Sequence, residues 1–97
     1  RRAGIVAKPG LIEAAGLLLE LGTWLQARDV TPCYEVATAA LATHPLPGDT
    51  CDAATLGRDE QLMIVLGGDG TLLGTAGRLA RAGYDVPVLA VNFGSLG

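Results

Sequence analysis

An α/β fold with a parallel sheet between helical layers is predicted by three features of the sequence. Strand-like apolar runs alternate with helix-like runs along the chain. The run LMIVL at 62–66 is apolar without alternation, as suits a parallel strand covered on both faces. A glycine-rich turn follows that run at once, and a helical pattern follows the turn. Strands that alternate with helices imply right-handed crossovers and hence a parallel sheet.

The elements follow in order. Residues 3–7 (AGIVA) form a short apolar strand that Pro9 and Gly10 end. Residues 11–27 read as a helix, because Leu11, Ala14, Ala15, Leu18, Leu21 and Leu25 recur at three- and four-residue steps. Gly16 and Gly22 weaken it, each by about 1 kcal/mol relative to Ala. Residues 30–36 form a second, more polar strand. Pro32 has no N–H for a ladder, which places that strand near a sheet edge. Over 38–61, Pro45, Pro47 and Gly48 forbid a continuous helix, so a variable connection with one short helical turn is expected. Residues 62–66 are the next strand. Residues 71–82 are the next helix, with Leu72, Ala76, Leu79 and Ala80 on one face and Arg78 and Arg81 off it. Gly83 stops that helix. Residues 86–91 are the last strand.

Composition narrows the function. A chain of 97 residues suffices for one α/β domain with one core. Hydrophobic residues at 49% against 18% charged exclude disorder, and the scarcity of aromatics leaves the core to Leu, Val, Ile and Ala. The net charge of -3 argues against nonspecific attraction to nucleic acid or to an anionic membrane. An anionic ligand must therefore be held by local backbone donors. Cys33 and Cys51 match neither a zinc spacing nor a disulfide scaffold, which points to idle thiols in a reducing compartment. No apolar run reaches the roughly 20 residues of a membrane span, and Arg1-Arg2 precedes no signal-peptide core. A cytoplasmic protein is expected. The chain has no initiator Met and stops at Gly97 in a glycine-rich turn, so it reads as a fragment.

The strongest signal is Gly67-Gly68-Asp69-Gly70-Thr71, between a buried strand and a helix. Glycines let the backbone turn sharply and approach a ligand without Cβ interference. The helix that follows points free N–H groups and its positive dipole end at the turn, which makes an anion site suited to phosphate. Thr71 is placed to cap the helix or to donate its hydroxyl to a phosphate. Asp69 is the unusual element, because a carboxylate beside phosphates is repelled unless it has a task. It could bind a bridging Mg²⁺, accept a proton from an attacking hydroxyl, or hydrogen-bond a ribose hydroxyl; the plain alternative is an ordinary turn aspartate. A Walker A loop is excluded, since no Lys follows Lys8. A G-x-G-x-x-G fingerprint beginning at Gly68 and Gly70 fails at Leu73. Ligands on parallel sheets bind beyond the carboxyl ends of the strands, where 67–71 and 92–97 both fall.

Residues 64–73 (IVLGGDGTLL) resemble the signature of NAD kinases. The same Gly-Gly-Asp-Gly core marks diacylglycerol kinases, sphingosine kinases and, with Ser for Thr, phosphofructokinases. A second segment separates them: 87–97 (PVLAVNFGSLG) resembles the next NAD kinase motif, an apolar strand followed by Asn-x-Gly-x-Leu-Gly. Lipid kinases usually carry Asn-Glu soon after the core, where this chain has Leu73-Gly74. Residues 4–9 (GIVAKP) are similar to the family's first strand and turn. Gly74 departs from the family, which often has Arg or another polar residue there.

The resemblance implies a three-layer, Rossmann-like N-terminal nucleotide-binding domain over 1–97. A β-rich C-terminal domain, absent from this chain, would complete the site with an Asn-Asp or Asn-Glu pair. It implies transfer of the γ-phosphoryl of ATP, or of polyphosphate, to the 2′-hydroxyl of the adenosine ribose of NAD, giving NADP. Asp69 would accept the proton and contact NAD, and Gly70 would lie against the same ligand. Gly67, Gly68 and Thr71 would shape the phosphate side, and Mg²⁺ or another divalent metal would neutralise charge. Asn92 and Gly94 either form a plain strand-ending turn or wall the nucleotide pocket. The partners expected are small-molecule nucleotides, and the full-length protein is expected to be a homo-oligomer. This polypeptide alone is expected to be inactive and to expose apolar surface. The rival functions are a lipid or sugar kinase of the same superfamily and a nonenzymatic nucleotide-sensing module. Lys8, Arg1 and Arg2 read as surface charges, His44 as solvated, and Trp24 and Tyr34 as packing residues.

Overall fold

The computed structural model describes residues 1–93. Strand β1 (Arg2–Ala7) is buried from Ala3 onward, so the first apolar run becomes the centre of the sheet. It pairs in parallel with β2 (Thr31–Glu35) on one side and with β4 (Leu62–Gly67) on the other. Strand β3 (Asp49–Cys51) lies outside β2, and β5 (Val88–Asn92) lies outside β4. All neighbours are parallel, in the order β3-β2-β1-β4-β5. The chain grows outward from β1 to β3 and then crosses back to β4. The direction of growth reverses between β1 and β4, and a crevice opens at their carboxyl ends.

Side chains alternate across the strands, and each face has its own helix. Helix α1 (Ala15–Gln26) lays Leu18 and Leu25 on the face that carries Ile5, Ala7, Tyr34, Ile64 and Leu66. Helix α3 (Asp69–Ala82) lays Leu79 on the opposite face, with Val6, Cys33, Leu56 and Met63. The expected three-layer, Rossmann-like α/β fold is thus present.

Several local expectations change. The first helix is split: a single 3-10 turn (Ile12–Ala14) precedes α1. Strand β2 is not the edge, because β3 covers it. Pro32 is tolerated there because the pairing with β3 begins one residue later, at Cys33 opposite Asp49. Strand β3 carried no apolar pattern, since two of its three residues are Asp49 and Thr50. The short helical turn is α2 (Val36–Ala39), which starts just before the region where it was expected. Helix α3 starts at Asp69 rather than Thr71, and its buried residues are Thr75 and Leu79, one turn apart; Ala76 and Ala80 are exposed. Gly83 ends it in the left-handed conformation at φ 76°, as predicted. The last strand begins at Val88, after Pro87 has accepted a bond from the Met63 N–H through its carbonyl.

Two residue readings also change. Arg2 is not a free surface charge: its guanidinium donates to Asp49 at 3.0 Å and to the buried Glu60 at 3.3 Å, tying β1 to β3 and to the loop before β4. Trp24 is not in the core but about half exposed, with the Arg28 guanidinium stacked 3.8 Å from its ring centroid. Tyr34 is a packing residue, as expected. Burial pushes the Tyr34 phenol up to about 12 and the Cys33 thiol up to about 12, so both stay neutral in the core. Leu73 on α3 and Leu89 on β5 are exposed. Among the described residues no helix is long and apolar enough to cross a membrane.

The two helix glycines of α1 prove unlike one another. A Cβ on Gly16 would meet nothing within 4 Å, whereas one on Gly22 would overlap the Tyr34 hydroxyl and lie 3.1 Å from Pro47 Cγ. Gly16→Ala is therefore expected to raise stability by about 1 kcal/mol through helix propensity. Gly22→Ala is expected to lower it by about 1–3 kcal/mol through overpacking. Urea unfolding of both variants checks the opposite signs.

Candidate functional site

The carboxyl ends of β1 and β4 meet at the Lys8 N–H, which donates to the Leu66 carbonyl at 2.9 Å. The chain then leaves β4 through Gly67, whose φ is 153°. A Cβ there would lie 2.9 Å from Thr71 Oγ1 and 3.2 Å from Lys8 Cβ. Gly67 is thus required by the backbone and by its neighbours. Its carbonyl accepts the Phe93 N–H at 3.0 Å, which fixes the end of β5 beside the turn.

Gly68 is the N-cap of α3, and no side chain caps that helix. The first helical bond runs from the Leu72 N–H to the Gly68 carbonyl at 3.1 Å. The N–H groups of Asp69, Gly70 and Thr71 therefore have no partner inside the helix. They point out of the helix start together with its positive dipole end. Thr71 is the third helical residue and not the cap, because the helix opened two residues earlier than its sequence pattern indicated. The expected capping role is therefore not seen, and Thr71 lies in the first turn of α3.

Two clefts flank this turn. The larger, about 510 Å³, is lined by Lys8, Pro9, Glu35, Gly68, Gly70, Thr71, Gly74, Thr75 and Arg78, with Val6 and Ala7 at its floor. The smaller, about 160 Å³, is lined by Gly67, Gly68, Asp69, Leu72, Asn92, Val65 and Ala90. Asp69 and Asn92, read separately from the sequence, therefore share one cleft, while Thr71 and Gly70 belong to the other. Gly94 lies outside the described residues.

Gly68, Gly70 and Gly74 differ from Gly67. None has a positive φ, and a Cβ on any of them would meet nothing within 4 Å. The folded chain does not need them to be glycine, yet all three line the larger cleft. Their missing side chains leave room for something that comes to the backbone.

Several residues of the larger cleft were missed by the sequence reading. Lys8, read as a surface charge, follows β1 directly and walls the cleft. Arg78 reaches it from α3 while donating to the Ala53 carbonyl. Glu35 is the last residue of β2. The signal that could have found Lys8 and Glu35 is their place at the carboxyl ends of predicted parallel strands. Behind them, the buried Thr38 hydroxyl accepts the Ala7 N–H at 2.8 Å and donates to Glu35 Oε1 at 3.0 Å.

Among the described residues, one other group of potential ligands is found. Cys33, Cys51 and Glu60 bring a donor atom each within 4.8 Å of one another, a grouping their sequence spacing did not reveal. The Arg2 guanidinium already holds this cluster, with Nε 3.3 Å from Glu60 Oε2 and Nη2 3.6 Å from Cys51 Sγ. The positive charge there belongs to the protein.

Comparison with known proteins gives the family and the fold. The family described as ATP-NAD kinase N-terminal domain matches residues 3–97. A protein named NAD kinase from Acidobacterium capsulatum is 43% identical over 97 residues, covering 100% of this chain and 33% of its own length. Another so named, from Nitratidesulfovibrio vulgaris, is 41% identical over 93 residues, covering 96% of this chain and 27% of its own length. The chain thus spans about a third of the length of the curated relatives it matches. The crystal structure of yeast NADH kinase complexed with NADH superposes with a TM-score of 0.76 at 22% identity, covering 100% of this chain and 31% of that one. That likeness establishes the fold.

The glycines separate fold from site in a measurable way. Gly67→Ala is expected to destabilise the protein by about 1–3 kcal/mol, the usual size of forced backbone strain. Gly74→Ala is expected to stabilise it by about 1 kcal/mol, since its helical backbone gains propensity and its Cβ meets nothing. Thermal unfolding of the two variants beside the parent gives the comparison.

Proposed function

The chain belongs to the ATP-NAD kinase family through its N-terminal domain, and from that premise we propose that the intact protein phosphorylates the 2′-hydroxyl of the adenosine ribose of NAD. The donor is ATP, or polyphosphate, and the product is NADP. The observation that carries this reading is the larger cleft: three glycines with open space above them, beside the uncapped first turn of α3 and between Lys8 and Arg78. Backbone N–H groups and two cations converge there, as a polyphosphate requires.

The separation of the clefts supports a division of labour. The donor's phosphates occupy the larger cleft, against Gly68, Gly70 and Thr71. The acceptor hydroxyl approaches from the smaller one, where Asp69 and Asn92 face it. Asp69 accepts the hydroxyl proton as the ribose oxygen bonds to the terminal phosphorus. The bond from that phosphorus to its bridging oxygen breaks, and the donor leaves one phosphate shorter. Asp69 is exposed and its carboxylate makes no hydrogen bond among the described residues, so it is free to take the proton or to hold a divalent metal. Asp69 is also the residue that would hold a Mg²⁺, and such an ion would supply neutralisation of the charge on the transferred group. Lys8, Arg78 and the α3 amides orient the donor and share that neutralisation.

Since the 97 residues span about a third of their relatives' length, turnover is assigned to the intact protein and only part of the binding to this domain. The test is NADP formation by the intact protein with ATP, Mg²⁺ and NAD. Asp69→Asn is expected to lower kcat by about 10²–10⁴-fold, the usual share of a general base, while both KM values stay within a few-fold. Near-normal turnover in that variant removes Asp69 from the base role. A parent protein that makes no NADP from ATP or polyphosphate contradicts the kinase reading itself.

A further inference from the structure

The larger cleft contains a carboxylate that phosphate binding does not explain. Glu35, at the end of β2, lines it together with Lys8 and Arg78. It does not neutralise either cation, for neither Lys8 nor Arg78 forms an ion pair among the described residues. One carboxylate oxygen is fixed: Oε1 accepts the Thr38 hydroxyl at 3.0 Å, and that same hydroxyl holds the Ala7 N–H at 2.8 Å. Thr38 is 1% exposed, so this chain of bonds is anchored in the core. The other oxygen, Oε2, makes no hydrogen bond among the described residues.

A fixed anion beside a polyphosphate would repel it unless it faces a neutral, donor-rich part of the same ligand. Position says which part. The phosphate donors lie at the end of β4 and the start of α3. Lys8 follows β1, one strand away, and Glu35 ends β2, two strands away. Two strand spacings are about 10 Å, which matches the reach from the terminal phosphate of a nucleoside triphosphate to its ribose. Ribose hydroxyls are neutral donors, and a carboxylate with one oxygen free is suited to accept them.

We infer that Glu35 binds the ribose hydroxyls of the phosphoryl donor in the larger cleft, and so selects a ribonucleoside triphosphate as donor. The inference rests on the kinase reading and adds the donor's class to it. Thr38 is the positioning residue that holds the carboxylate.

The experiment compares ATP with 2′,3′-dideoxy-ATP as donors for NADP formation by the intact protein. The parent is expected to prefer ATP by roughly 10- to 100-fold in kcat/KM, the size of a hydrogen bond to a charged group. Glu35→Ala is expected to bring that preference to within about twofold, through the KM for ATP and with the KM for NAD unchanged. Glu35→Gln keeps a neutral acceptor and the bond from Thr38, so it retains part of the preference and serves if the alanine variant does not fold. A parent that uses both nucleotides equally overturns the inference, as does a variant that keeps the preference or loses equally on both. A changed Mg²⁺ requirement with the ATP preference intact also overturns it, since it places Glu35 on the metal. These failures occur with active parent enzyme. A parent inactive with every donor is the distinct failure, that of the kinase reading.

Discussion

The backbone passes from β4 into α3 through Gly67 and Gly68, and the carboxyl edge of the sheet is organised around that turn. Gly67 has a φ of 153°, and the turn it makes leaves no room for a Cβ between Thr71 and Lys8. The same residue anchors both neighbours. Its carbonyl holds the Phe93 N–H, and the strand it closes pairs with β1 up to Ala7 opposite Leu66. A side chain here would move α3, the start of the loop after β1 and the end of β5 together. The two clefts lie on either side of this turn.

Around that turn the protein divides its resources unevenly. The interior is apolar and tightly filled, with Ile5, Leu18, Met63 and Leu66 fully or almost fully buried. Among the described residues, the ion pair of Arg2 with the buried Glu60 lies in the fold's framework and joins β1 to the segment before β4. At the carboxyl edge the arrangement is the opposite. Lys8, Glu35, Asp69 and Arg78 line the clefts without forming ion pairs with one another among the described residues. Unpaired charge around open space favours a polar, charged ligand over a protein contact. The net charge of -3 would not attract a nucleotide, so local donors must do so.

Much of this was legible in the sequence, for identifiable reasons. The run at 62–66 is long and apolar enough to announce a central strand, and the glycines after it announce the turn. Gly83 announces a helix end because the left-handed cap favours glycine. Strand β3 was illegible because it has only three residues and carries no apolar pattern, with Asp49 and Thr50 both exposed. The start of α3 was misplaced because glycine and aspartate are weak helix formers, and tertiary context overrides propensity there. The buried stripe of α3 was misread because Thr75, not Ala76, faces the sheet. Glu35 and Lys8 stayed hidden for another reason: nothing in their local sequence is unusual, and only the order of strands brings them to one cleft.

On the proposed function, nucleotides bind on both sides of the Gly67–Gly68 turn, the phosphoryl donor on the α3 side and NAD beside Asp69 and Asn92. Amide chemical-shift mapping of the isotopically labelled protein, titrated with ATP and separately with NAD, tests it most directly. ATP is expected to shift the amides of Lys8, Gly68, Gly70 and Thr71 most, and NAD those of Asp69 and Asn92. Saturating ligand that leaves these amides in place, or shifts concentrated at the opposite end of the sheet, would contradict it.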